Sequence, residues 1–211
     1  RDAWMRHMAR VEETSQPGNR AYPLCSPNRV TQNFTMHNCQ VFRGSPTWHP
    51  ILLAMDEEKL AAYRDPEIRR KLHEEVIEHK VEVPAAGYSR TWYDYMWVEE
   101  PKLAKNQALK GKTIGQLAKE QGKGVIDAFL DLVVEENLDT VFMKVENNVD
   151  DEAMKKILTY PNAIVGLSDG GAHVQFHGGY GYCTRLLSEW VREKQAMTLE
   201  PAVGRLTFDS A

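Results

Sequence analysis

Residues 166–181 read GLSDGGAHVQFHGGYG, and six of these sixteen residues are glycine. The acid Asp169 comes straight after the small apolar run AIVGL (163–167) and Ser168. A carboxylate at the exit of a strand can ligate a metal, take a proton from water, or do both. Gly170 and Gly171 leave the backbone free to adopt φ > 0 and let a ligand approach closely. His173 and His177 add side chains that titrate near neutrality. The plainer alternative is a turn, because Asp-Gly is a common turn pair. Local chemistry leaves both readings open.

Other stretches offer less. KGKTIG (110–115) lacks the glycine that a phosphate loop needs five residues before the Gly of Gly-Lys-Thr, since Asn106 stands there. A capped helix explains it better. HEEVIEH (73–79) places its histidines at i and i+6, about 120° apart on a helix, and not on one face as a zincin requires. His37, Cys39 and His49 could each ligate a metal, but three residues on loops fit packing or surface roles better. There is no G-x-S-x-G. The aromatics of TWYDYMW (91–97) fit a core better than a pocket.

These residues need elements to position them. Trp4, Met5, Met8 and Val11 repeat at helical spacing over 2–14, and Pro17-Gly18 stops the pattern. RAYPLCSPNRV and TQNFTMHNCQVF read as short strands or extended loops. TWHPILLAM begins a helical stretch, and Asp65-Pro66 opens another helix with Ile68, Leu72 and Val76 on one face. TWYDYMWV (91–98) has strand-like content. Thr113 with Gln116 resembles a capping box, and VIDAFLDLVVEE is a strongly apolar helix. VFMKV (141–145) is a strand. Asp150, Asp151 and Glu152 suit a helix N-terminus whose Met154, Ile157 and Leu158 face inward. AIVGL is a buried strand and TRLLSEWVREK is amphipathic. Thr198 is expected to cap LEPAVGRL, with Leu199, Ala202, Val203 and Leu206 on one face. The alternation of helices and strands in the second half predicts an α/β arrangement of parallel strands with helical crossovers. In such sheets ligands gather at the carboxyl ends of the strands, and Asp169 lies just past one.

Gross composition narrows the classes. The chain has 211 residues, 42% hydrophobic and 27% charged, which suits an ordinary globular core. A net charge of −4 gives no basic footprint for nucleic acid. No apolar run reaches the ~18 residues of a membrane span. The charged, helical residues 1–13 do not read as a secretory signal. Cys25, Cys39 and Cys183 are odd in number and lack C-x-x-C spacing, so they are expected to be reduced, which favours the cytoplasm.

DDEAMKKILTYPNAIVGLSDGGAHV, followed by TRLLSEWVREKQAMTLEPAVGRLTFDSA, resembles the carboxyl-terminal barrel segment of metal-dependent amidohydrolases, in particular the N-acyl-D-amino-acid deacylase (D-aminoacylase-like) branch. The shared pieces are a small-residue strand ending in Ser-Asp-Gly with a nearby histidine and a glycine- and aromatic-containing loop. A Leu-Trp-Val-Arg-like helix and a Leu-Glu-x-Ala-Val helix ending in Leu-Thr-x-x-x-Ala complete the set. The likeness is specific over 150–211, looser over 111–149, and weak over 1–110.

The resemblance implies a (β/α)₈ TIM-type barrel with zinc or another divalent metal at the strand carboxyl ends. Asp169 would touch that metal, take a proton from its water and pass it to the leaving amine. His173, Gly170, Gly171 and Tyr180 would face a small-molecule amide substrate. The chain departs from the family in having no His-x-His pair. It also offers four or five strand candidates where a full barrel has eight in about 250 residues. It therefore reads as one domain over 1–211, best supported over 111–211: the helix-rich carboxyl-terminal portion of such a barrel, lacking most metal ligands. Alone it is expected to bind metal poorly, to hydrolyse little, and to form a homo-oligomer that covers its open edges. The alternative in another class is a non-catalytic α/β domain that holds a small anion on the glycine loop 170–181. A cyclic-amide hydrolase or a deaminase of the same superfamily would share the acid at the last strand. A His-x-His after an apolar strand upstream of Arg1 would favour the hydrolase.

Overall fold

In the computed structural model, residues 3–18, 21–80, 88–168 and 179–210 are described. The chain is a mixed α/β structure whose contacts divide it into two units, one of residues 1–30 with 147–211 and one of 31–146.

The second of these units shows most plainly how sequence makes structure. Asp65 caps the helix α4 (Pro66–Val76), its Oδ1 accepting from Glu67 N at 2.8 Å, with Pro66 at the first helical position. Leu72 and Val76 are fully buried and Ile68 is half-buried. α4 follows α2 (Trp48–Leu53) and α3 (Asp56–Arg64). Thr113 and Gln116 cap α5 (Ile114–Gln121) reciprocally: Gln116 N donates to Thr113 Oγ1 at 3.1 Å, and Thr113 N donates to Gln116 Oε1 at 2.9 Å. KGKTIG is thus a helix start. Gly122 (φ +64°) ends α5 in the left-handed region that glycine favours. α6 (Val125–Glu135) starts after Gly124 and is buried along Ile126, Ala128, Phe129, Leu130, Leu132 and Val133.

The core of this unit is aromatic. Phe42 stacks on Trp48 with centroids 3.8 Å apart, and Phe129 meets Phe142 at 4.9 Å and Trp92 at 5.7 Å. Burial of each ring contributes about 1.5–3 kcal/mol. Arg69 of α4 clamps α6 through Asp131 at 2.7 Å and Asp127 at 3.1 Å. Where α6 ends, Glu136 is 3% exposed and its carboxylate gathers four donors. Lys102 N (2.8 Å) and Thr140 Oγ1 (2.6 Å) reach Oε2, while Leu103 N (3.0 Å) and Asn106 Nδ2 (2.9 Å) reach Oε1.

Its sheet has the order β2 (Val30–Phe34), β4 (Val141–Asn147), β3 (Met96–Glu100). Of the run 91–98, only the end is strand, because Trp92–Asp94 forms a 3₁₀ turn. β4 pairs antiparallel with β3, Met96 opposite Lys144 and Val98 opposite Phe142. The parallel crossover expected from VFMKV through a helix to AIVGL does not form, since these runs lie in different sheets, and the pair seen here is antiparallel for a simple reason. Between β3 and β4 lie two helices joined by Gly122–Gly124, and a two-helix hairpin returns the chain to the end it left. The next strand must then run backwards.

The unit of residues 1–30 with 147–211 holds α1 (Ala3–Thr14), β1 (Leu24–Cys25), α7 (Asp151–Leu158) and β5 (Ile164–Val165). It continues with α8 (Tyr182–Arg185), a π-helical stretch Leu186–Glu193, and α9 (Leu199–Leu206). Asp150 caps α7, accepting from Ala153 N at 3.1 Å. The core joins Cys25, Met154, Leu158, Val165, Leu186 and Trp190, with Ala202 of α9. The stripe expected on α9 is narrower than the sequence implies: Ala202 is buried, but Leu199 (53%) and Val203 (43%) are exposed. Thr198 stands at the cap position without a side-chain cap hydrogen bond. Among the described residues, no helix is long and apolar enough to cross a membrane.

Candidate functional site

β1 and β5 form a parallel pair, Leu24 opposite Ile164 and Cys25 opposite Val165. Ile164 N donates to Pro23 O at 2.9 Å and Gly166 N to Cys25 O at 3.2 Å. Because the strands run the same way, both carboxyl ends emerge on one side. Gly166 continues β5, and a Cβ there would sit 3.3 Å from Cδ1 of the exposed Leu24, a tight contact that the leucine tip can relieve.

The residues that sequence reasoning singled out follow at once. Asp169, Gly170, Gly171, His173 and His177 lie outside the described residues. The two ends of their segment are described, and they touch. A Cβ on Gly179 would fall 2.2 Å from Ser168 O and 3.0 Å from its carbonyl carbon. Only glycine fits that approach, on grounds of space and not of backbone angle. The backbones of Ser168 and Gly179 therefore close a neck at the carboxyl end of the parallel pair. Tyr180, in the 3₁₀ turn Gly179–Gly181, is 57% exposed beside that neck.

Side-chain amides fix the neck to the segment after β1. Asn28 Nδ2 donates to Gly179 O at 2.8 Å. Asn148 Nδ2 donates to Asn28 O at 2.7 Å and to Ser26 O at 3.2 Å, with Asn148 itself at φ +59°. Trp190 Nε1 donates to Pro27 O at 3.0 Å. Residues 26–28 are thus held by donors from two places, Asn148 and Trp190, while Asn28 itself donates to Gly179. Sequence reasoning missed both asparagines. The Pro-Asn content at 27–28 and the paired Asn147-Asn148 were visible, but only the fold brings them together.

Charge is arranged behind this frame. Lys194 Nζ lies 2.8 Å from Asp151 Oδ1, 2.7 Å from Glu189 Oε1, and 4.0 Å above the Trp190 ring. Arg29 adds a longer contact to Asp151 at 3.6 Å. Burial would push the Glu189 carboxyl up, but its bonds to Lys194 and Arg185 win and hold it below its usual range. Lys194 is likewise desolvated, yet Asp151 and Glu189 keep its ammonium charged beyond the ordinary lysine value. The network ties the π-helical stretch to the start of α7. Cys25 sits at the end of β1, and burial pushes its thiol up to about 11, with Arg205 pulling the other way, so it is no nucleophile at neutral pH.

Among the described residues, no three His, Cys, Asp or Glu side chains come together as a metal site. His37, Cys39 and His49 do not combine. Both ring nitrogens of His37 are engaged by aspartates, Cys39 is buried, and His49 Nδ1 lies 3.0 Å from Arg43 O.

The described arrangement defines a class: an α/β chain with a parallel strand pair, beyond whose carboxyl ends Ser168 and Gly179 approach closely. No protein-family model matches the chain. Its sequence is 29% identical over 137 residues to uncharacterized proteins of Mycobacterium bovis and of two strains of Mycobacterium tuberculosis. The aligned region is 63% of this chain and 22% of each relative, so the chain matches about a fifth of their length. In three dimensions it is similar to the N-acyl-D-glutamate deacylase of Bordetella bronchiseptica complexed with zinc and a phosphonate inhibitor. The TM-score is 0.43 and the identity 18%, over 99% of this chain and 31% of that one. A likeness of that degree carries no inference about fold or activity.

Proposed function

We propose that this chain is the carboxyl-terminal part of a (β/α)₈ amide hydrolase that deacylates N-acyl-D-amino acids, with Asp169 as its proton carrier. One observation carries the reading. Ser168 and Gly179, the described residues on either side of 169–178, approach closely beyond the carboxyl end of a parallel strand and beside that of its partner. That is where α/β folds place reacting groups. The sequence likeness over 150–211 supplies the chemistry.

On this reading Asp169 accepts a proton from the attacking water and returns it to the departing amine. His173, Gly170, Gly171 and Tyr180 line the substrate side. Asn28 and Asn148 hold the neck. The family's metal has no donor set among the described residues, so no step is routed through it. A zinc ion would need ligands beyond those described. The reading also includes a cytoplasmic setting and self-association, in which a second copy covers Leu24, Leu167 and Phe208, all exposed. The test is hydrolysis of N-acyl-D-amino acids by the complete reading-frame product, compared with its Asp169→Asn variant.

A further inference from the structure

Three stretches distant in sequence meet on one imidazole. His37 follows β2, Asp56 opens α3, and Asp139 lies between α6 and β4. His37 Nδ1 is 2.7 Å from Asp56 Oδ2, and Nε2 is 2.9 Å from Asp139 Oδ1. Lys59, one turn along α3 and 5% exposed in its side chain, donates from Nζ to His37 O at 2.6 Å and to Asp56 Oδ1 at 3.2 Å.

A neutral imidazole has one N–H and one lone pair. Held between two carboxylates, its lone pair would face an oxygen that can only accept. Both contacts are hydrogen bonds only if the ring carries both protons. We propose that His37 is a cationic clasp at neutral pH, tying the start of α3 to the turn before β4, and that loss of its proton in alkaline solution opens the clasp.

The surrounding charges agree. From α3 come Asp56 and Lys59, from the turn Asp139, and from β4 Lys144, which with Lys59 acts on the neighbouring Cys39 thiol. Lys59 opposes a second cation, but it is already bound to the His37 carbonyl and to Asp56. Burial also disfavours the imidazolium. The bonds to Asp139 and Asp56 outweigh it and raise the His37 pKa above 6.5. His37, first among the causes, holds the Asp56 carboxyl below its usual range. A raised folded-state pKa means the contribution of His37 is complete below 6.5 and fades as pH rises through the folded value. On the acid side, the contribution of Asp56 fades as pH falls through its depressed value.

The experiment is an NMR titration of the His37 ring in the intact chain, alongside Asp56→Asn, Asp139→Asn and the double variant. Both aspartates are half exposed, with side chains 52% and 55% accessible, and the wild-type titration stands even if a variant folds poorly. The clasp predicts a midpoint above neutrality in the wild type. Each single variant lowers it, and the double variant lowers it further. Amide exchange at 36–38 and 138–140 should also accelerate above the midpoint by more than base catalysis explains. A midpoint below neutrality, or one indifferent to loss of both carboxylates, would overturn the proposal.

Discussion

Replacing Glu136 should be among the most damaging single changes in the unit of residues 31–146, and the damage should depend on pH. Two donors reach each carboxylate oxygen, and the residue is 3% exposed. Glu136→Ala removes the acceptor from all four donors, of which Asn106 Nδ2 keeps Glu135 Oε2 at 2.8 Å; each buried donor left unpaired costs about 1–3 kcal/mol. Glu136→Gln keeps one oxygen. If the new NH₂ turns towards Thr140, that hydroxyl can rotate and accept, but the Lys102 N–H cannot. One donor then faces another, at about 1–2 kcal/mol given that Lys102 stands near solvent. Burial works to raise the Glu136 pKa, yet the bonds from Thr140, Lys102, Asn106 and Leu103 lower it overall. A lowered folded-state pKa gives stability that is present above 4.5 and lost as pH falls through the folded value. Urea denaturation followed by tryptophan fluorescence should rank wild type over Gln over Ala at pH 7. The gap between wild type and Gln should shrink as pH drops below 4.5. If Glu136→Gln matches wild type at pH 7, or if the gap ignores pH, the bonding scheme is wrong.

Two further outcomes follow from local geometry. Cys39 and Cys25 are buried, with thiols pushed up to about 12 and about 11, whereas Cys183 is exposed. A thiol reagent at pH 8 should therefore modify one cysteine quickly, and Cys183→Ser should abolish that fast phase; a surviving fast phase would contradict the burial. Gly179→Ala should force the neck open and cost about 1–3 kcal/mol, while Gly181→Ala, with nothing within 4 Å of its added Cβ, should be tolerated. Equal stability of the two variants would remove the close approach of Ser168 and Gly179.

Local chemistry was the legible part of this sequence. Asp65-Pro66, Asp150 and Thr113 with Gln116 announce helix starts because a cap needs only its own neighbours. Elements whose fate depends on distant partners were read less well. VFMKV is a strand, but its antiparallel pairing with β3 depends on how two intervening helices pack. Leu199 and Val203 have helical spacing, yet of that stripe Ala202 is buried and Leu206 packs against the core while the other two stay exposed, because the stripe is wider than the surface it meets. The π-helical turn at Leu186–Glu193 has no signature in TRLLSEWVREK beyond its amphipathic period. At the candidate site, glycine content marked the segment, but the amides of Asn28 and Asn148 could be placed only once β1 and β5 were paired. His37 illustrates the same limit. Its type and its neighbour Cys39 hinted at a metal ligand, while its partners Asp56 and Asp139 lie 19 and 102 residues away.

The most direct test is the turnover of an N-acyl-D-amino acid by the complete reading-frame product, wild type against Asp169→Asn. The amide keeps the shape of the side chain and cannot accept the proton. The expected result is measurable deacylation by the wild type and a fall in kcat of about 10²–10⁴-fold in the variant, with folding unchanged by circular dichroism. Undiminished turnover in Asp169→Asn, or no hydrolysis of any amide by the wild type, would contradict the assignment.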